Sequence, residues 1–237
     1  MKKVLLSWLL LAHLVACTSD APDPHPALTA TFAASRTVVE VNEAVTFTEA
    51  PAQAARYVWD FGNGQTATVA APSVTYAATG TFTVTLTTYS ADNQATATSQ
   101  VIRVGKRYLR EVRITALPFL TPAGLGWDVG GSGPDVFVQL HPTAVAEAPA
   151  TKTSILSNVT PASLPLTFAA STELTPGEWT VGVRDEDSGS DDTMREWTLD
   201  VAGPTPNRDA QGQGSYTLVG PPDNPTVWAV TLHYETR

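Results

Sequence analysis

The chain has 237 residues, 43% of them hydrophobic and 16% charged, which is enough apolar material for two ordinary domains and too much for a disordered tail. A formal net charge of −9 and an isoelectric point near 4.8 exclude the basic face that nucleic-acid binding requires. The single cysteine, Cys17, excludes disulfides within the chain and cysteine-ligated zinc.

Lys2 and Lys3 precede an apolar run that is too short to span a bilayer as a stable helix and is built like a secretory signal. The run ends on Leu14-Val15-Ala16-Cys17, which resembles the lipobox of bacterial lipoproteins, where the cysteine is lipidated and becomes the first residue. The resemblance implies a signal peptide over residues 1–16, a lipid on Cys17, and the cell envelope as location, with the membrane as a partner through that anchor. Thr18 stands where an aspartate would favour the inner membrane, so the outer membrane is expected, on either its periplasmic or its surface face. Pro22, Pro24 and Pro26 predict a stiff tether over residues 17–27.

From Leu28 to Gly105 the pattern is all-β. Short alternating runs occur at Val45–Phe47, Tyr57–Trp59, Phe82–Leu86 and Val101–Val104, rich in Thr, Val, Phe and Tyr. Gly62-Asn63-Gly64 supplies a turn. Tyr57-Val58-Trp59-Asp60-Phe61-Gly62-Asn63-Gly64, followed by Val74-Thr75-Tyr76 and Gly80 to Leu86, resembles the signature of the PKD (polycystic kidney disease) domain, with Asn63 where the family usually has aspartate. The resemblance implies an immunoglobulin-like sandwich over 28–105 with Trp59 in its core, a module that serves as spacer or interaction unit.

Apolar alternation restarts at Tyr108 and predicts eight strands over 106–237, the last carrying Trp228, Val230, Leu232 and Tyr234 on one face. Two acidic segments leave strand ends. One runs Asp128-Val129-Gly130-Gly131-Ser132-Gly133-Pro134-Asp135; the other is Asp185-Glu186-Asp187-Ser188-Gly189-Ser190-Asp191-Asp192. So many like charges repel unless a hard cation takes their oxygens. The two segments resemble the first and third calcium loops of the C-two domains of protein kinase C and synaptotagmins, in the strand order of the circular variant found in phospholipases. That resemblance implies an eight-stranded sandwich binding Ca²⁺ through Asp128, Asp135, Asp185, Asp187 and Asp191 or Asp192, with Pro134-Asp135 inverting the family's usual Asp-Pro. Phe119, Leu120 and Trp127 make the first loop apolar, as lipid- or protein-contacting tips or as a small satellite core.

No zinc-type histidine pair, nucleophile elbow or phosphate-binding glycine loop is present. Glu173, Glu178 and Glu196 could pair as acid and base for sugar hydrolysis, but nothing in the sequence places two of them across a cleft. The expectation is an all-β, non-enzymatic surface lipoprotein. It would use calcium-stabilised loops for interaction or adhesion with a protein, glycan or lipid partner. The alternatives are a carbohydrate- or lipid-binding accessory module and a calcium-dependent hydrolase.

Overall fold

The computed structural model describes residues 28–49, 54–128, 131–144, 151–188, 190–201 and 208–237. The signal segment, Cys17 and the tether lie outside the described residues. The chain is all-β, two tandem sandwiches without an α-helix among the described residues.

The first sandwich holds β1 (Phe32–Ala34), β2 (Val38–Glu40), β3 (Ala44–Glu49), β4 (Arg56–Asp60), β5 (Thr66–Ala67), β6 (Ser73–Thr75), β7 (Gly80–Tyr89) and β8 (Ala95–Gly105). A three-stranded sheet, β1-β3-β6, packs on a five-stranded one, β2-β8-β7-β4-β5. Alternate residues of each strand point inward, so Val45 and Phe47 from one sheet meet Trp59, Val84, Leu86 and Ile102 from the other, all 0% exposed. Trp59 is the centre of this core. Its ring lies 5.2 Å from that of Phe32 and 5.6 Å from that of Phe47. Its indole N–H donates to the Val69 carbonyl at 2.9 Å, which removes the cost of burying that donor.

The second sandwich holds β9 (Arg107–Ala116), β10 (Val136–Pro142), β11 (Thr151–Lys152), β12 (Leu166–Glu173), β13 (Glu178–Asp185), β14 (Asp192–Asp200), β15 (Gln213–Val219) and β16 (Ala229–Thr236). Its sheets run β11-β10-β13-β14 and β12-β9-β16-β15, so the last strand lies beside the first. The alternation that runs from Trp228 into β16 places Trp228, Val230, Leu232 and Tyr234 in the core, with Val138, Leu140, Val181 and Val183 from the other sheet.

Only Lys106 separates β8 from β9. It exchanges backbone hydrogen bonds with Arg237 at 2.8 and 3.0 Å, extending the β9–β16 ladder to the junction. A Cβ on Gly105 would stand 2.5 Å from the Arg237 carbonyl oxygen, so only glycine admits this approach.

At that junction the turn Glu40-Val41-Asn42-Glu43 of the first sandwich inserts two carboxylates between Arg107 and Arg208 of the second. Arg107 donates to Glu40 through Nε at 2.9 Å and Nη2 at 2.8 Å, a forked pair. Arg208 donates to Glu40 at 3.0 Å and to both oxygens of Glu43. The two arginine side chains are 2% and 1% exposed. Arg107 also donates to the Val201 carbonyl and the Tyr216 hydroxyl, and Arg36 donates to the Arg208 carbonyl. Burial pushes the Tyr216 phenol up to about 12, so it stays a neutral partner to the guanidinium.

Candidate metal centre

The inward-facing set of β13 is Val181, Val183 and Asp185, each 0% exposed. Strand period 2 thus carries a carboxylate onto the core side at the strand's last residue. Ladder pairing puts Asp185 between Val136 on β10 and Asp192 on β14, so the loop after β9 and the loop after β13 meet at one end of the sandwich. The first loop is held there by Gly133, whose Cβ would lie 2.0 Å from the Val159 carbonyl oxygen, and by the Val159 N–H donating to Pro134 at 2.9 Å. The Glu186 N–H donates to the Asp135 carbonyl at 2.9 Å and ties the two loops together.

Asp128, Asp185 and Asp187 each offer one carboxylate oxygen within 4.8 Å of the others. Asp185 Oδ1 accepts from the Asp135 backbone N–H at 2.6 Å, whereas Oδ2 is buried without any hydrogen-bond partner. A buried, partnerless carboxylate oxygen is costly in a folded protein. Burial, opposed by the Asp135 hydrogen bond and reinforced by the charges of Asp128, Asp187 and Asp135, pushes Asp185 up to about 6. Asp187 is raised too, first by desolvation and then by Asp192, Asp128, Asp191 and Asp135.

The other three predicted ligands fall outside this 4.8 Å group, although all three lie near enough to raise Asp187. Asp135 spends Oδ1 on the Asn158 N–H at 2.7 Å and braces the loop. Asp191 lies 3.8 Å from the Lys152 ammonium, which also bonds Glu186. Asp192 opens β14 opposite Asp185 and contributes charge rather than a place in the cluster. Lys152, the cation that draws Asp191 aside, carries no local sequence signal of that role.

The apolar loop divides. Phe119 and Trp127 are not tips: both are partly buried against the sandwich core, and the Trp127 indole donates to the Pro118 carbonyl at 3.1 Å. A Leu120–Gly126 bridge and the Thr121 N–H donating to Leu125 at 2.8 Å close a small hairpin between them. Leu120 at 56% and Leu125 at 68% exposure are the large apolar residues this hairpin leaves outside. Of the acid–base candidates, Glu173 pairs with Lys106 at 3.0 Å and Glu196 with Arg184, while Glu178 lies opposite Asp200 at the junction end.

Asp185 makes a pH dependence in metal-free buffer testable. Its folded pKa is raised, so its stabilising contribution is full below the unfolded value and is lost as pH rises through about 6. Asp185→Asn, which keeps an oxygen for the Asp135 N–H, should therefore be more stable than the parent chain at pH 7.5, by on the order of 2 kcal/mol. The difference should close towards pH 4; denaturation series in EDTA at the two pH values read it, and an unchanging difference removes the buried-charge account.

Comparison with known proteins concerns mainly the first sandwich. Residues 29–103 match the PKD domain family. The pre-pro-metalloprotease PrtV of Vibrio cholerae serotype O1 is 46% identical over 48 residues, which are 20% of this chain and 5% of that protein, so the chain spans about a twentieth of this relative's length. The crystal structure of the PKD1 domain of that metalloprotease is 32% identical, covers 32% of this chain and 93% of its own, and has a TM-score of 0.28. A structure of carbohydrate-binding modules from the β-sandwich superfamily covers 88% of this chain and 90% of its own at 12% identity, with a TM-score of 0.30. PKD domains are non-catalytic modules and occur in extracellular or secreted bacterial proteins. No helix among the described residues is long and apolar enough to cross a membrane. The aromatic core around Trp59, the paired sheets of three and five strands and the family match agree: residues 29–103 are a PKD domain.

Proposed function

We propose that the chain is a non-enzymatic module of the bacterial cell envelope, lipid-anchored at Cys17. Its PKD domain acts as spacer and its C-two-like sandwich binds Ca²⁺ at Asp128, Asp185 and Asp187. The observation that carries the metal reading is Asp185, whose Oδ2 is buried without a partner and whose carboxylate lies within 4.8 Å of two others. A hard cation with oxygen ligands answers both the orphaned oxygen and the repulsion. Three carboxylates leave coordination positions for backbone oxygens, water or a ligand from outside. Leu120 and Leu125, exposed on the hairpin that leads into Asp128, give that ligand's carrier an apolar contact. Titration calorimetry of the mature chain with CaCl₂ tests the reading. Heat of binding that Asp185→Asn abolishes supports it, and none at millimolar Ca²⁺ reduces the loops to an acidic turn.

The anchor is tested separately. Cys17→Ala should move the protein from the detergent phase to the aqueous phase on partitioning, since no second acyl site or spanning helix is proposed. A variant that stays in the detergent phase sinks the lipoprotein assignment.

A further inference from the structure

The buried ion network joins two domains, and its cost shapes what it can do. Taking Arg107, Arg208, Glu40 and Glu43 out of water offsets most of what their attraction returns, so such a network is weak evidence for stability. What it does supply is geometry. A forked guanidinium–carboxylate pair fixes distance and angle together, and Arg107 on Glu40 is such a pair. The Lys106–Arg237 backbone exchange and the close approach at Gly105 act on the same few residues. A hinge at Lys106 would break all of these contacts at once.

Position then matters. In the first sandwich the junction end holds the Glu40–Glu43 turn and the last residue of β8, Gly105. Leu28, through which the N-terminal segment enters, sits at the other end, its carbonyl accepting from Thr96 near the start of β8 at 3.3 Å. In the second sandwich the junction end holds the first residue of β9 and the last of β16. Asp128, Asp185 and Asp187 sit at the opposite end, past Ala116. With 11 residues in β8 and 10 in β9, each sandwich is about 35 Å long at ~3.3 Å per residue. Residue 28 thus lies one sandwich before the junction and the acidic cluster one sandwich beyond it. Residues 17–27, fully extended, span at most about 40 Å, too little to turn the acidic end back end-on towards a surface that holds Cys17.

We infer that the chain is a fixed-geometry presenter whose acidic end works in trans: the carboxylate or phosphate oxygens that complete the cation's coordination come from a body other than the one holding the N-terminal segment. The inference rests on the calcium reading for its ligand chemistry and on the junction for its direction.

Two measurements test it. In the full chain carrying Cys17→Ala, spin labels at Asp92→Cys, in the exposed β7–β8 turn, and at Ala123→Cys, in the hairpin tip, report the end-to-end distance. One narrow population well beyond the ~35 Å of a single sandwich is expected, unchanged by Ca²⁺ and broadened by Glu40→Gln with Glu43→Gln. A broad population before those substitutions, or one no longer than a single sandwich, overturns the inference. In vesicles bearing the lipidated chain, a dye at Asp92→Cys should be quenched by headgroup quenchers several-fold more than one at Ala123→Cys, with or without Ca²⁺. Equal quenching overturns it. Calorimetry on the same labelled chain reports on the metal alone: a long, narrow distance without heat of Ca²⁺ binding keeps the direction and sinks the assigned ligand chemistry.

Discussion

Arg208→Ala is expected to destabilise the full chain by roughly 3–5 kcal/mol, the usual cost of removing one member of a buried ion network. Arg208 is 1% exposed and is the main charged partner of Glu43, which otherwise has the Glu40 backbone N–H at 2.8 Å and Arg36 at 3.8 Å. Its loss leaves Glu43 desolvated and short of a cation, and leaves Glu40 with Arg107 as its one remaining guanidinium beside the Thr236 hydroxyl at 3.3 Å. It also removes the hydrogen bond to Thr236 at the end of β16, so the damage reaches the second sandwich directly. Denaturant unfolding of the parent and variant chains measures the difference. A loss below about 1 kcal/mol, the size of an exposed pair, would show that the network is solvated. The same logic makes the second sandwich a poor object for isolation, because a chain starting at Lys106 keeps both arginines and loses both glutamates.

This network shows where local sequence stops informing. The strands were legible because each writes its own pattern. Trp228, Val230, Leu232 and Tyr234 alternate within eight residues and all four are buried. The PKD signature around Trp59 was legible for the same reason: its packing partners Phe47 and Phe61 lie within a few tens of residues of it. Glu40 and Arg208 stand 168 positions apart, and no periodicity links them. A partial signal did exist at Arg107, which shares the core-facing parity of Leu109 on β9; a charge at such a position asks for a buried partner.

The acidic loops were legible to the same depth. The alternation Val181, Val183, Asp185 carries a carboxylate into the core, and two acidic segments at strand ends implied convergence, which Asp128, Asp185 and Asp187 make. Direction and competition were not legible. Asp191 is drawn to Lys152, and Asp135 to the Asn158 N–H, by neighbours that only the folded chain assembles. Likewise nothing in the run from Phe119 to Trp127 tells which apolar residues turn inward. The hairpin closed between Leu120 and Gly126 settles that, burying part of Phe119 and Trp127 and leaving Leu120 and Leu125 outside.

Ca²⁺ is expected to stabilise the mature chain by about 2.7 kcal/mol at a hundredfold excess over its dissociation constant, a rise of roughly 5–10 °C in Tm for a chain of this size. The gain comes from two changes at once: Asp185 Oδ2 acquires a partner, and the repulsion that raises Asp185 and Asp187 is cancelled. Mg²⁺ should do less, because it demands a tighter octahedron and gives up water reluctantly. Asp185→Asn with Asp187→Asn should abolish the response, since two of the three clustered carboxylates lose their charge. The same pair of substitutions should raise the Tm measured in EDTA above that of the parent chain, because the amide oxygen that replaces the Asp185 carboxylate still accepts the Asp135 N–H without the buried charge. The two outcomes together separate a metal site from a solvated turn: in a turn, neither cation nor substitution moves the melt by more than the few tenths of a kcal/mol usual for surface changes. Protons compete for the same oxygens, so the calcium-induced shift should also shrink as pH falls through about 6, the value to which Asp185 is pushed up. A shift that persists undiminished at pH 5 would place the cation somewhere other than on Asp185.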